Sequence, residues 1–471
     1  VGQAIPPALQ TLPYPEDELV SSTHRIALLI SSLAFTTLAW PADLDPKALF
    51  NNTKVWSAHF TFTPDQYQGL KPVLKKADQS GERLSRFQAP EGLRNGITGS
   101  QGMHFEYVGA KLMFGDLALD NVAVRYKGNG TFRRGILLNK VSLKVDLNKN
   151  VKGQKLAGNT KLNFNNSVSD LSWMNEVLAY RLYRDAKVPA SQTSYSRVFI
   201  TVPGQFAKAY QGLFTVVEEV DDRFAEEHFG TKDGLFFKPV VPTPFNYLGE
   251  DWKRYNQIYD PKRTPTEKEQ RRVIDFSKIV TSANDTVFAA RVGEFVDLDE
   301  LARYLAVTVW LTSYDGILDS GQNYYLYLDP KTQKFQFLPW DLDRAFGQYG
   351  IFTGDAQRMN ILEPWLGPNR FLERIFKVPA FRSLYLARMN EFSNTIFKPE
   401  RFAQQVDEIA AAIRPAIVEE SPVLLARFDA AASGKTMPDT LDRNFGLPHV
   451  PIKTFTQGRW RSVVEQLSRA K

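Results

Sequence analysis

Four side chains with hard oxygen donors lie close together about two thirds of the way along this 471-residue chain: Asp315, Asn323, Asp341 and Asp343. Between them stand two short runs rich in aromatic and aliphatic residues, Tyr324–Leu328 and Lys334–Leu338. The segment joining the runs, Asp329-Pro330-Lys331-Thr332-Gln333, has the chemistry of a tight turn. Proline presets φ at the second turn position and aspartate suits the first. Folding the runs about residue 331 makes an antiparallel hairpin and brings Asn323 within a rung or two of Asp341, with Asp315 just upstream and Asp343 just downstream. Amide and carboxylate oxygens in such a group suit Mg²⁺, which is commonly held by one or two side chains together with substrate phosphates. Taken singly, each of these residues most often caps a turn; it is their convergence at one hairpin mouth that suggests a metal.

Phosphoryl transfer needs further parts in a particular order: a glycine-containing turn over the phosphates, a strand lysine to contact them, and a helix glutamate to orient the lysine. The chain offers Lys127, Gly128 and Gly130 in a turn, Lys144 on the strand after it, and Glu176 on the helix after that. Asp315 would then orient the acceptor, and Asn323 and Asp341 would hold metal. Lys140, four residues before Lys144, and Lys238 are alternative lysines; Asp319 is an alternative to Asp315.

The elements that must position these residues change character along the chain. Alternating patterns predict strands at 55–62, 105–108, 110–114, 122–126, 141–147, 194–202 and 213–220. Residues 63–102 read as an irregular insertion. Met174, Val177, Leu178 and Leu182 share one face of a helix over 172–186, with Asp170 or Ser172 as its N-cap. Beyond residue 265 helical patterns dominate, over 267–281, 298–313, 370–397 and 399–419, interrupted by the hairpin. The pattern predicts an α+β fold with two unequal lobes: a β-rich N-terminal lobe over 50–220 and a mainly helical C-terminal lobe over 221–471.

Hydrophobic residues make up 43% and charged residues 23%, as in ordinary globular proteins. The net charge of +6 is spread along the chain, and no basic stripe marks a nucleic-acid binder. The absence of cysteine excludes disulfides, zinc–thiolate sites, iron–sulfur clusters and a cysteine nucleophile. Within an N-terminal extension over 1–49, Arg25 precedes an apolar run ending in small residues near Trp40-Pro41-Ala42, the pattern of a secretory signal peptide. The expectation is an exported protein (periplasmic, cell-surface or extracellular), or a cytoplasmic one if residues 26–40 are not used as a signal. No later run is long enough to span a bilayer.

Several segments resemble the CotH kinase family, the spore-coat-protein-H-like atypical protein kinases. They are Arg125–Gly130, Lys140–Leu147, Lys161–Asn166, Glu176–Tyr180 with Val188-Pro189-Ala190, Gly212–Asp221, Asn323–Tyr327 and Pro339–Asp343. The resemblance covers roughly residues 50–470. It implies a two-lobed, protein-kinase-like fold that phosphorylates proteins using ATP and a divalent metal, Mg²⁺ or Mn²⁺. It implies Asp315 as the catalytic-loop aspartate, Asn323 and Asp341 as metal ligands, Lys144 at the phosphates and Glu176 as its partner. The strand ending in Glu218-Glu219 would be the adenine-side hinge. The chain departs from the family pattern in a longer gap between Asp315 and Asn323, and in Gln322 where a histidine is usual. Two other readings stay open: a non-catalytic surface or coat protein with a kinase-like shell, and transfer of AMP or an amino acid on the same fold.

Overall fold

A strand that alternates apolar and polar residues buries one side only, and a sheet of such strands must cover that side. Here it does so by closing on itself. The computed structural model describes residues 44–75, 83–170, 172–349, 355–435 and 450–470. Seven of its strands are Val55–Thr61 (β1), Val108–Phe114 (β2), Leu117–Tyr126 (β3), Leu143–Asp146 (β4), Lys161–Asn165 (β5), Thr193–Val202 (β6) and Phe206–Glu218 (β7). They form a closed barrel in the order β1-β2-β3-β4-β5-β7-β6. Neighbours are antiparallel except β6 and β1, which run parallel from Val55↔Tyr195 to Thr61↔Thr201 and shut the barrel. Closure leaves no free edge. Phe60, Phe114, Val145, Phe164, Val198 and Phe214 fill the interior, with the Phe60 and Phe164 rings edge to face at 5.6 Å.

Besides two short helical turns between β1 and β2, Pro64–Gly69 and Ile97–Ser100, helix Gly130–Leu137 (α1) lies between β3 and β4, and Asn175–Asp185 (α2) between β5 and β6. Apart from the barrel interior, α2 belongs to a second apolar cluster made mostly of residues after 220. Asp222–Phe229 (α3) leads there into Leu235–Phe237 (β8), which pairs with the hairpin Tyr324–Leu328 (β9) and Phe335–Pro339 (β10). Every residue of the central strand β9 is buried, which explains its unbroken run of large apolar residues. Around this sheet stand Lys253–Tyr259 (α4), Glu267–Ser282 (α5), Asp285–Phe295 (α6), Leu298–Trp310 (α7), Arg370–Ile375 (α8), Pro379–Ser393 (α9), Pro399–Glu420 (α10), Pro422–Ser433 (α11) and Ile452–Arg469 (α12). None is long and apolar enough to cross a membrane.

One buried cation ties this half together. Arg459 of α12 is fully buried and donates to the carbonyls of Val309, Trp310, Gln357 and Met359 at 2.6–3.3 Å. Two of those carbonyls end α7, where a helix leaves acceptors unsatisfied and where positive charge is favoured. The chain that leaves α7 there carries Asp315.

The mixed α+β character agrees with the sequence, and three local expectations are corrected. The glycine-containing segment after β3 is followed by α1; Phe132, packed on Phe105 at 4.8 Å, anchors a helix too short to display periodicity. The single helix expected over 370–397 is two helices, because Pro379 has no N–H to continue a preceding turn and begins a new helix instead. The strand expected over 105–108 begins only at Val108, and the insertion contributes a short ladder, Val73-Leu74 on Met103-His104. The apolar run near residues 26–40 lies outside the described residues.

Candidate functional site

The hairpin register places Tyr324 opposite Pro339, and the Trp340 N–H donates to the Asn323 carbonyl at 3.2 Å. Asp341 is therefore the residue just past Asn323's rung. Asp329 shapes the turn as expected, its carboxylate accepting from the N–H groups of Lys331 and Thr332 at 2.8 and 2.7 Å. Both Asn323 (φ 57°) and Asp341 (φ 56°) lie in the left-handed region, which Asn and Asp tolerate better than other residues bearing a Cβ.

Helix α2 holds the Asp341 end of the hairpin. Asp170 accepts from the N–H of Asn175, the first residue of α2, at 2.8 Å, and so serves one of the open N–H groups at the helix start. One turn apart on a common face stand Glu176 and Tyr180. The Asp341 N–H donates to the Tyr180 hydroxyl at 3.2 Å, and the Asn175 amide donates to the Asp343 carbonyl at 2.9 Å.

The barrel supplies the cations. Lys127, at the end of β3, donates to the side-chain oxygens of Asn163 (3.1 Å) and Asn165 (2.8 Å) on β5. Asn165 in turn donates to both oxygens of Glu176 at 2.9 Å. Burial pushes the Lys127 ammonium down, against the charges of Asp341, Glu176 and Glu219 that hold it up. Lys144 on β4 lies opposite Asn163 in register and pairs with Glu219. The other oxygen of Glu219 accepts from Asn163 at 2.7 Å. Burial alone would raise the Glu219 carboxyl, but Lys144 and these hydrogen bonds outweigh it and hold it far below the usual range. Lys144 itself is pushed down by burial to about 8.

Lys144 therefore does not pair with Glu176 as expected. The strand that immediately precedes α2 is β5, and the face that carries Lys161, Asn163 and Asn165 ends nearest α2 in Asn165, so Asn165 meets Glu176 and Lys127 reaches in from β3. The two hinge glutamates also separate, as neighbours on a strand must. Glu219 faces Lys144, whereas Glu218 is buried elsewhere, accepting from the Gln192 N–H at 3.0 Å and from Arg223 at 3.2 Å. Gly128 has φ 110°, a conformation that calls for glycine, while Gly130 starts α1 with open space around it.

The alternative residues also find their places. Lys140 precedes β4 and forms a buried ion pair with Glu420 of α10 at 2.6 Å, remote in chemistry from the lysines above. Lys238 follows β8 and stacks its ammonium over Trp340 (4.8 Å) and Tyr325 (5.2 Å); burial drives it well below its usual value. Asp315 accepts from the Gln322 amide at 3.2 Å and lies 3.9 Å from Arg344. Asp319 instead bonds Tyr349.

Burial first, and then the charge of Asp341, raise three carboxyls that surround it. Glu176 reaches about 7, and Asp343 is pushed well above its usual value. Asp315 rises to about 6, with burial again leading and Arg344 and Gln322 opposing. Among the described residues no set of three or more His, Cys, Asp or Glu is arranged to hold a metal ion. The available donors are instead an amide and a carboxylate at the hairpin mouth.

These raised carboxyls set the sign of the pH dependence. A carboxyl whose folded pKa lies above its unfolded one stabilises the fold fully below the unfolded value, and that contribution is lost as pH rises through the folded value. The melting temperature of metal-free protein is therefore expected to fall between about pH 4 and pH 7, the window between the ordinary and the raised values of Asp315 and Glu176. Lys144 acts in the opposite sense, but only above about pH 8. Thermal melts across this range check it: Glu176→Gln flattens the decline, and an unchanged slope would remove Glu176 from the argument.

Asn163, Asn165, Asn175, Tyr180 and Arg344 were not expected as site residues. The one available signal was Lys161-Leu162-Asn163-Phe164-Asn165, a strand whose polar face carries two amides after a single lysine.

A family model described as CotH kinase protein matches residues 124–435, more than half of the chain. Inner spore coat protein H of Bacillus subtilis (strain 168) is 21% identical over 264 residues, covering 55% of this chain and 70% of that protein. Among solved structures, the Shewanella oneidensis MR-1 complex of the toxin–antitoxin proteins HipA and HipB with operator DNA matches at a TM-score of 0.25 and 10% identity. That match covers 66% of this chain and 57% of the other, and a TM-score so low carries no argument about fold or function.

Proposed function

The chain belongs to the CotH kinase family, and on that premise we propose that it transfers the terminal phosphate of ATP to a serine or threonine hydroxyl of a protein. The barrel, with the rest of 50–220, is the smaller lobe of a kinase-like fold, and 221–471 is the helical lobe. ATP lies between them. The observation that carries this reading is the approach of the two across the cleft: Lys127 of the smaller lobe, gripped by Asn163 and Asn165, stands 5.4 Å over the Trp340 ring and feels the charge of Asp341 in the helical lobe.

The donor set fits a divalent cation. Asn323 and Asp341 offer hard oxygens at one hairpin mouth, and three carboxyls are raised in part by the charge of Asp341, a repulsion that a cation relieves. Two protein ligands suffice for Mg²⁺ or Mn²⁺ when phosphate oxygens and water complete the shell. Such a metal, when bound, neutralises charge on the phosphates. The remaining work falls to side chains of this chain. Lys127 and Lys144 supply positive charge toward the phosphates, with Glu219 fixing Lys144 and the two amides fixing Lys127. The turn at Gly128 and Gly130 covers the phosphates, and Glu219 stands at the adenine side. Asp315, steadied by Gln322 and Arg344, accepts a hydrogen bond from the acceptor hydroxyl and orients it for in-line attack.

A second reading, a coat or surface protein with a kinase-like shell, is favoured by the coat-protein name of the Bacillus subtilis relative and by the long Asp315–Asn323 gap. Either reading suits an exported or coat-associated protein. Incubating purified protein with labelled ATP, Mg²⁺ or Mn²⁺ and a generic acceptor is expected to add about 80 Da per site. A nucleotide or amino-acid transfer would add a different and larger mass. Calorimetric titration that detects no metal-dependent ATP binding would leave the shell.

A further inference from the structure

Part of the chain between β1 and β2 leaves the barrel and touches both sides of the proposed nucleotide site. Phe87 is its apolar anchor: only 3% exposed, it belongs to the cluster built mostly of residues after 220. Arg86 beside it donates to the Tyr349 hydroxyl at 3.3 Å. The tip that follows is tied to α4 by side-chain amides. The Asn95 amide donates to the Gln257 carbonyl at 2.5 Å, and the Gln257 amide donates back to the Asn95 side-chain oxygen and to the Leu93 carbonyl, both at 3.1 Å. Asn95 also accepts from the Ala89 N–H at 3.0 Å, which closes the tip into one loop.

The next residues turn back to the barrel and meet its glycine turn. The Thr98 hydroxyl donates to the Gly128 carbonyl at 3.3 Å. Gly96 lies so close to Asn129 that a Cβ there would stand 2.0 Å from the Asn129 side-chain oxygen, and its φ of 122° calls for glycine as well. Arg133 of α1 donates to the Gln101 side-chain oxygen at 2.5 Å.

These two attachments flank Trp340. On the barrel side Lys127, next to Gly128, stands 5.4 Å over the ring. On the other side Lys238 stands 4.8 Å over it and donates its N–H to the carbonyl of Asp260, the residue after α4 and three past Gln257. The α4 attachment is the weaker one. Beside it lies a cavity of about 990 Å³, lined in part by Pro90, Leu93, Trp252, Gln257 and Pro261. Amides at the edge of a cavity hold less firmly than packed apolar side chains, so this contact opens before the Phe87 anchor does.

We infer that residues 83–104 form a strap that fixes the glycine turn against the helices after 220, and that the cleft exchanges its occupant only when the Asn95–Gln257 latch opens. On the reading proposed above, that occupant is ATP. Asn95, Thr98 and Gln257 are then positioning residues, acting through the Gly128–Gly130 turn.

The chain has no cysteine, so the full chain carrying Asn95→Cys and Gln257→Cys has one possible disulfide. Reduced, it lacks the amide latch; oxidised, the latch is covalent. Two quantities are measured on both forms: amide hydrogen exchange of residues 128–131 without ligand, and release of N-methylanthraniloyl-ATP with Mg²⁺ on dilution into excess ATP. Both are expected to be about ten-fold slower in the oxidised form, to recover with dithiothreitol, and to ignore oxidant in Asn95→Cys alone. Thr98→Val, which removes only the bond to Gly128, speeds exchange at the turn. Equal exchange in the oxidised and reduced forms, equal release of bound nucleotide, or failure of the two cysteines to join overturns the proposal. A turn that answers to the disulfide in protein that binds no nucleotide in either form upholds the strap and removes the proposed placement of ATP instead.

Discussion

Asp341→Asn abolishes ATP-dependent labelling and leaves the fold as stable as wild type, or more so. Asparagine keeps one oxygen and the shape of the side chain but removes the charge that would hold a divalent cation. Loss of a group that merely supports a metal ligand costs roughly 10–100-fold, so loss of a charged ligand should exceed about 100-fold. The choice of asparagine matters, because residue 341 has φ 56° and alanine there would add backbone strain to the loss of charge. The stability half of the prediction follows from the neighbours. Glu176, Asp315 and Asp343 are each raised in part by Asp341, and removing that charge relieves them. The check is a labelling assay beside a thermal melt in the absence of metal. Labelling at the wild-type rate rules out the metal role of Asp341; lost labelling with a collapsed melt would mean that the loop, not the charge, had failed.

The second large effect is on stability. Arg459→Met removes a donor from each of four carbonyls, two of them at the end of α7; Met359 keeps the Gln466 amide and Val309 the Thr312 N–H, both at 3.1 Å. Burial lowers the guanidinium to about 10, so it remains charged at neutral pH. Removing one partner of a buried charged contact typically costs about 3–5 kcal/mol, and methionine fills the volume without serving any acceptor. The expected result is a marked drop in the denaturant midpoint, with transfer activity falling as well because the segment carrying Asp315 leaves α7 at this point. Arg459→Lys should recover only part of the loss, since an ammonium lacks the planar reach to serve all four carbonyls. A wild-type midpoint for Arg459→Met would mean that the carbonyls find other donors.

How much of this was legible beforehand differs between the hairpin and the barrel. The hairpin was readable because its determinants are local. Asp329-Pro330 specifies a turn, both flanks are apolar at strand length, and counting outward from the turn sets the rung on which Asn323 and Asp341 meet. Helix α2 was equally readable from its apolar spacing. The pairing of lysines with carboxylates was not. Lys144 and Glu176 stand in the expected order, yet strand register sets Lys144 beside Asn163 and Glu219, and sends Lys127 to Asn165, the amide that contacts Glu176. Order along a chain says which elements exist; it does not say which strand becomes the neighbour of a helix. Lys140 makes the same point, since its partner Glu420 is 280 residues away.

Residue types and spacing by themselves determined an α+β chain, the helices α2, α5, α7 and α10, the acidic hairpin mouth and the absence of thiol chemistry, because each depends on residue identity or on contacts within a turn or two of the backbone. Only the tertiary structure decided that seven strands close into a barrel, that a parallel β6–β1 pair shuts it, that Arg459 caps α7, and which charge faces which. Those outcomes depend on burying whole faces against partners distant in sequence. Short-range periodicity carries no record of which partner that will be.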